Sequence, residues 1–177
     1  MKQSTLRVAS APVDDPIAPL VQLFSPLEKE ILAALRPLSP DYPGIENWFL
    51  TKVIPGIDQG TRKIIRIERD NQLAALGIAK KEEGELKICT VRVMPRFTGR
   101  GLGLNVFDAL LGWLETNRPH LTVSESRHSS FERILHHYGF KLTSVIRGLY
   151  LPGEVEYLYN EPVSLRFSQN RTGPTII

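Results

Sequence analysis

Gly99, Gly101 and Gly103 alternate with Arg100 and Leu102, and Arg96 stands just upstream. Glycines let a chain turn tightly and let a ligand approach without meeting a Cβ atom. If a helix follows, its first amides lack intrahelical partners, and with the helix dipole they make an anion site. A phosphate or pyrophosphate fits there, and Arg96 and Arg100 would add charge-assisted contacts. A turn that only reverses the chain would ordinarily need one glycine, not three.

Three ligand classes use such a loop. A P-loop requires Lys then Ser or Thr after its last glycine, whereas Gly103 is followed by Leu104 and Asn105, which argues against nucleoside triphosphate hydrolysis. A dinucleotide site needs Gly-x-Gly-x-x-Gly and a later acid. Glu125 could be that acid, but Leu104 and Val106 stand where the third small residue belongs. Only 52 residues follow Glu125, too few for the second half of a doubly wound sheet. Coenzyme A is the third class.

The elements around the loop are legible. Ser25-Pro26-Leu27-Glu28 has capping-box spacing and a proline at the first helical position, and Leu27, Ile31, Leu32 and Leu35 follow at helical intervals, so a helix is expected over Pro26 to Leu35. A second helix should hold Trp48, Phe49, Lys52 and Val53 and stop at Pro55-Gly56. Lys63 to Ile67, Leu73 to Lys80 and Glu85 to Met94 read as an antiparallel meander. In its third strand Leu86 and Ile88 share one phase and Cys89, Val91 and Val93 the other. That slip means either burial on both faces or a bulge. Leu104, Phe107, Leu110, Leu111 and Leu114 mark the helix after the glycines, and Leu121 to Ser124 should be a strand parallel to the one before them. Ser130 to Tyr138 reads as a short helix closed by Gly139. Phe140 to Tyr150 and Glu154 to Tyr159 read as a final hairpin, on which Tyr150, Tyr157 and Tyr159, if exposed, could form a homodimer contact.

The 177 residues, 42% hydrophobic and 23% charged, with 13 Gly and 13 Pro, suit one globular domain. It is expected over 1–160, with a loose arm at 1–15 and a mobile tail at 161–177. Lone Cys89 makes no intramolecular disulfide, and no apolar run follows Met1 to Thr5 as a signal peptide would need, so a cytoplasmic location without membrane insertion is expected. The formal charge is +3, yet Leu86 to Gly103 alone carries Lys87, Arg92, Arg96 and Arg100 with no acid. A concentrated patch suits a ligand with several phosphates better than it suits a nucleic acid. No cysteine and histidine spacing suggests a metal.

Val91-Arg-Val-Met-Pro95-Arg-Phe-Thr-Gly99-Arg-Gly101-Leu-Gly103, the apolar helix, Leu121-Thr-Val-Ser124, a short helix and Tyr138-Gly139-Phe140 together resemble the core of the GNAT superfamily of N-acetyltransferases. The resemblance covers about Arg62 to Asn160. It implies an α/β (α+β) fold with a mixed, mostly antiparallel sheet, a splayed pair of parallel strands, acetyl-CoA in the gap and a bulge before the glycines. It also implies that the backbone from Thr98 through Gly99, Arg100, Gly101, Leu102 and Gly103 to Leu104 holds the pyrophosphate, while backbone groups of Val91 and Val93 pair with the pantetheine arm. In one register of the family's pattern Thr98 occupies the position that is usually Arg or Gln, with Gly101 and Gly103 following; read from Arg96, the pattern is met by Gly99 and Gly101 instead. Leu135 stands where many members carry a tyrosine as general acid.

The resemblance implies acetyl transfer from acetyl-CoA to a primary amine, small molecule or protein, by direct attack in a ternary complex. Catalysis would come chiefly from alignment and from a strand amide near Val91 polarising the carbonyl. For proton transfer the sequence offers Glu125, at the end of the splaying strand, as base and Tyr138 as acid. His136 and His137 read as surface residues and Cys89 as core. Two other readings stand beside this one: a coenzyme A sensor without catalysis, suggested by Leu135, and an acetyltransferase acting on aminoacyl-tRNA. Other nucleic acids are not expected as partners.

Overall fold

Ser25 fixes where the first helix starts. In the computed structural model, which describes residues 24–82 and 84–162, the Ser25 side chain accepts the Glu28 amide while the Glu28 carboxylate takes the Ser25 amide, a complete capping box on α1 (Pro26–Leu35). A single 3₁₀ turn (Arg36–Leu38) leads to α2 (Ile45–Trp48), a π turn (Phe49–Val53) and α3 (Ile54–Asp58). Pro55 therefore does not end the helical run. The Ile54 amide bonds five residues back to the Phe49 carbonyl, and this wider turn admits the proline at the start of α3.

β1 (Arg62–Arg69), β2 (Gln72–Glu82) and β3 (Glu85–Val93) form the antiparallel meander. The loop with its three glycines leads into α4 (Leu102–Leu114), then β4 (Leu121–Ser124), α5 (Glu125–His137), β5 (Leu142–Arg147) and β6 (Val155–Tyr159). The second sheet has the order β4-β6-β5, antiparallel throughout. The two sheets meet at one parallel bridge, Lys87 with His120, where the Ile88 amide reaches the His120 carbonyl at 3.0 Å and the His120 amide reaches Leu86 at 2.9 Å. Beyond it β3 and β4 diverge unpaired. This is the expected splayed pair.

α4 packs on one side of the sheets and α1 to α3 on the other. The first core joins Ala75, Ala79, Ile88 and Val91 to Val106, Phe107 and Leu110. The second joins Leu76, Ile78 and Cys89 to Leu35, Tyr42 and Phe49. Gly77 is what lets α4 lie so close, since a Cβ there would sit 2.4 Å from Val106 Cγ1 and 2.9 Å from Leu110 Cδ1. We expect Gly77→Ala to destabilise the fold by roughly 1–3 kcal/mol through overpacking, measured as a lower urea midpoint with an unchanged slope.

The closed end of the splay is fastened by charge. Glu85 accepts from Lys80 and lies 3.0 Å from His120 Nε2 and 4.0 Å from Lys87 Nζ. Burial alone would raise its carboxyl, but His120, Lys80 and Lys87 outweigh that and hold it at about 2. The folded state thus gains from ionised Glu85 above about pH 4.5 and loses that gain as pH falls towards 2. Glu85→Gln should be less stable at neutral pH by roughly 1–2 kcal/mol and should converge on the wild type in acid denaturation only as pH falls to about 2. Lys87, nearly buried here, is no part of an exposed basic patch.

Three further expectations are corrected. α5 begins at Glu125, directly after β4 with no loop between them, because its polar first turns border a cleft and carry no apolar period. Glu161 is tied down rather than part of a tail: Ser144 Oγ donates to its carboxylate at 2.9 Å and its amide reaches Thr143 Oγ1. The expected arm at 1–15, and the tail from 163 onward, lie outside the described residues. Finally, the hairpin tyrosines are occupied within the chain. Tyr159 is buried, Tyr157 packs on His128 at 4.1 Å, and Tyr150 meets Tyr42 edge-on at 5.7 Å.

Candidate functional site

Cys89 is the residue that shapes the gap. Ile78 pairs with Thr90 but Ala79 pairs with Ile88, so Cys89 is the extra residue of a bulge, and it is also buried. Both readings of the phase slip hold. The consequence concerns the backbone. Ile88 directs its amide to β4, yet the Met94 amide reaches Ala74 in β2 at 2.9 Å. Alternation then turns the Arg92 backbone to β2 and the amides and carbonyls of Val91 and Val93 into the gap. Without the bulge they would face β2 and be consumed by the sheet. The thiol itself has its pKa raised by burial and serves as core.

The gap opens into a cleft of about 410 Å³, lined among others by Leu38, Arg92, Val93, Gly103, Arg127 and Phe131. At its mouth Gly101 caps α4 with φ +75°, a left-handed conformation suited to glycine. The Leu104 and Asn105 amides turn back to the Gly101 carbonyl at 3.0 and 3.3 Å, and the Thr98 amide to Pro95 at 3.3 Å. The amides from Gly99 to Gly103 remain free for an anion, a narrower set than the sequence suggested. Arg96 and Arg100 stand exposed beside them, each about 5.6 to 5.7 Å from the Phe97 ring centroid, and Arg96 also donates to Gln72 Oε1 at 3.0 Å.

Tyr138 lies elsewhere. Its hydroxyl donates to Asp108 Oδ1 at 2.7 Å and its ring stacks on Phe107 at 5.3 Å. Burial, then Asp108, raises its pKa well above the usual phenol range. It lines a separate depression along α4, with Glu115 and His137. Glu125 is exposed on the first turn of α5 and does not line the cleft. Leu135 points into the first core, and His136 and His137 are exposed. The structure therefore brings the loop and the β3 backbone together and leaves both proposed proton-transfer groups outside.

Sequence reasoning missed a polar group on the other wall. Asp41 accepts Ser126 Oγ and Arg127 Nε, each at 3.0 Å, and Ser126 Oγ lies 3.0 Å from Ser124 Oγ. Glu156, directly across from Ser124 on β6, is 2% exposed. Tyr42, buried beside it, has its pKa raised by burial first and then by Glu156. Arg92, half-buried, has its own pKa lowered by burial and by Arg127. No single segment announces this group, because its members come from the α1–α2 connection, β3, β4, α5 and β6.

No protein-family model matches the chain, and no curated protein matches it. Solved structures do. A protein of Desulfovibrio desulfuricans assigned to the GNAT acetyltransferase family superposes with TM-score 0.57 at 14% identity, over 75% of this chain and 88% of that one. This is the GNAT fold. An aminoglycoside 6′-N-acetyltransferase complexed with coenzyme A gives TM-score 0.57 at 10% identity, covering 78% of this chain and 93% of that one. The aminoglycoside 6′-N-acetyltransferase of Enterococcus faecium gives 0.55 at 10% identity, covering 78% and 96%. At these identities the likeness is one of fold. Among the described residues no helix is long and apolar enough to cross a membrane, and no three metal-ligating side chains gather.

Proposed function

We propose that the chain transfers an acetyl group from acetyl-CoA to a primary amine. The observation that carries this is the Cys89 bulge, which frees the Val91 and Val93 backbone towards a gap whose mouth holds the unpartnered amides of Gly99 to Gly103. A GNAT fold alone supplies the splay. The bulge and the loop supply donors at both ends of an extended ligand, matching a pyrophosphate at one end and a pantetheine amide and thioester at the other.

In this reading the free amides of the loop hold the pyrophosphate with help from Arg100, and Val93 pairs with the arm. The Val91 amide donates to the thioester carbonyl oxygen and stabilises negative charge as the C–N bond forms and the C–S bond breaks. Rate comes mainly from holding amine and thioester in line. Tyr138, committed to Asp108, and Glu125, out in solvent, have no part in that step. The amine side is covered by the segment around Tyr42 and by the hairpin, whose Tyr150 meets it.

Calorimetric titration with acetyl-CoA, with ATP and NADH as controls, tests the reading, followed by thiol release on a panel of amines. Selective acetyl-CoA binding is expected. Binding without amine-dependent thiol release would instead support the sensor suggested by Leu135, turnover confined to charged tRNA would support the third reading, and no acetyl-CoA binding would overturn all of them.

A further inference from the structure

Six buried side-chain atoms among the described residues have no hydrogen-bond partner; those of Arg62 and Arg66 belong to the edge strand β1, and the other four, Tyr42 Oη, Thr90 Oγ1, Arg92 Nε and Glu156 Oε2, lie with them on the α1–α3 side of the sheets but nearer the splay. Register shows this. Thr90 and Arg92 pair with Ile78 and Leu76, which belong to the core beneath α1 to α3, where Tyr42 also packs. Val123 and Tyr157 pair across β4 and β6 and pack with the α4 core, so the neighbouring pair Ser124 and Glu156 must face the opposite way. Counted from the Lys87–His120 bridge, Ser124 is four residues along β4 and Arg92 five along β3, and since Cys89 is the extra residue of a bulge the two stand at about the same level on either wall of the splay. Buried polar atoms are nearly always paired in folded proteins. Four unpaired ones on the face beside the splay, with Arg92 lining the cleft and Glu156 one strand behind Ser124, mark a surface built for a ligand.

We propose that Glu156 accepts the proton of the incoming amine, in a subsite closed over by Tyr42 that receives a cationic primary amine. The proposal rests on the acetyltransferase reading above. The charges around Glu156 are these: Asp41 from the connection before α2 and Glu154 from the hairpin are acidic and draw an ammonium ion, Arg127 of α5 is held by Asp41, Arg147 of β5 donates to the Gly153 carbonyl, and Arg92 of β3 lines the cleft on the opposite wall of the splay. Ser124 opposite is neutral. Burial, then Asp41 and Glu154, raises the Glu156 carboxyl to about 8, close enough to an alkylammonium for transfer in either direction.

The balance is simple. The ammonium gives one proton to the Glu156 carboxylate, and the neutral amine attacks the thioester carbon. As the C–N bond forms and the C–S bond breaks, a second nitrogen proton leaves with the sulfur as coenzyme A thiol. Glu156 then releases its proton to solvent.

Full-length wild type, Glu156→Gln, Glu156→Asp and Tyr42→Phe are compared in two measurements: coenzyme A affinity by calorimetry, and thiol release from acetyl-CoA with simple primary amines whose own pKa values span about 7 to 10.5. With amines of pKa about 9 and above, the wild type should show kcat/KM rising through about pH 8, at a position that stays fixed as the amine is changed, and falling again above the amine's own pKa, where the ammonium form is lost. Glu156→Gln should bind coenzyme A within twofold of the wild type, lose about 100-fold or more in kcat/KM and lose that fixed limb. Glu156→Asp should recover part of the rate, and Tyr42→Phe should raise KM for the amine with little change in coenzyme A affinity. A Glu156→Gln enzyme within threefold of the wild type, a rising limb that moves with the amine, or coenzyme A binding with no amine-dependent release would each overturn the proposal while leaving the coenzyme A site standing. No coenzyme A binding by the wild type would overturn the parent reading instead.

Discussion

Gly101→Glu should lower coenzyme A affinity by at least about a thousandfold, whereas Gly101→Asn should lower it by less than about tenfold, both read by calorimetry. Gly101 caps α4 with φ +75°, and a Cβ built there meets nothing within 4 Å. Space is therefore no obstacle, and any substitution meets only backbone strain of about 1–2 kcal/mol, which asparagine largely avoids because it tolerates the left-handed region. Strain alone cannot reach the roughly 4 kcal/mol that a thousandfold loss represents. A carboxylate can, since it would sit among the free amides of Gly99 to Gly103 and both occupy and repel the position of a pyrophosphate. The pair of variants thus separates a folding defect from a lost anion site. Equal binding by both variants and the wild type would place the phosphates elsewhere.

What the sequence revealed was mostly local. Ser25 and Glu28 announce a helix start because the capping box is closed by residues within one turn, and the structure closes it as expected. The slip at Ile88 and Cys89 announces a bulge because a strand's side chains must alternate, and one extra residue leaves a visible scar in the pattern. Pro55 misled because the π turn that accommodates it leaves no mark on the sequence. The first turns of α5 were hidden because their inner side borders a cleft, so Arg127 and Ser130 occupy places where a core helix would show apolar residues.

Glu156 was the least legible, for a physical reason. In Val155-Glu-Tyr-Leu-Tyr159 an acid between apolar neighbours reads as the solvent face of an ordinary strand. Only the cover supplied by Tyr42, distant in sequence, turns that face into an interior one. The same holds for Gly77, whose neighbours Val106 and Leu110 belong to a helix that pairs with β2 only after the chain has folded.

Burial of Glu156 carries a stability consequence that is separable from any activity. Its carboxyl has an ordinary value of 4.5 and is raised to about 8 in the folded chain. Below pH 4.5 it is protonated in both folded and unfolded states and makes no difference. Between about 4.5 and 8 the unfolded chain ionises it and the folded chain does not, so the folded state loses ground as pH rises, and above about 8 the loss is complete. A glutamine of the same shape cannot ionise in either state. Glu156→Gln should therefore match the wild type near pH 4.5 and exceed it at pH 9 by roughly 2–4 kcal/mol, seen as a melting temperature higher by roughly 5–10 °C. The acid-side loss from Glu85 falls below this window, and His120, whose pKa burial lowers, contributes equally to both proteins and cancels in the difference. Equal stability at pH 9 would mean that Glu156 is ionised at no cost in the folded chain and is too weak a base to take the proton of an alkylammonium. A variant that is more stable in alkali and nearly inactive would show that the fold keeps a strained acid at this position for the sake of the proton it takes.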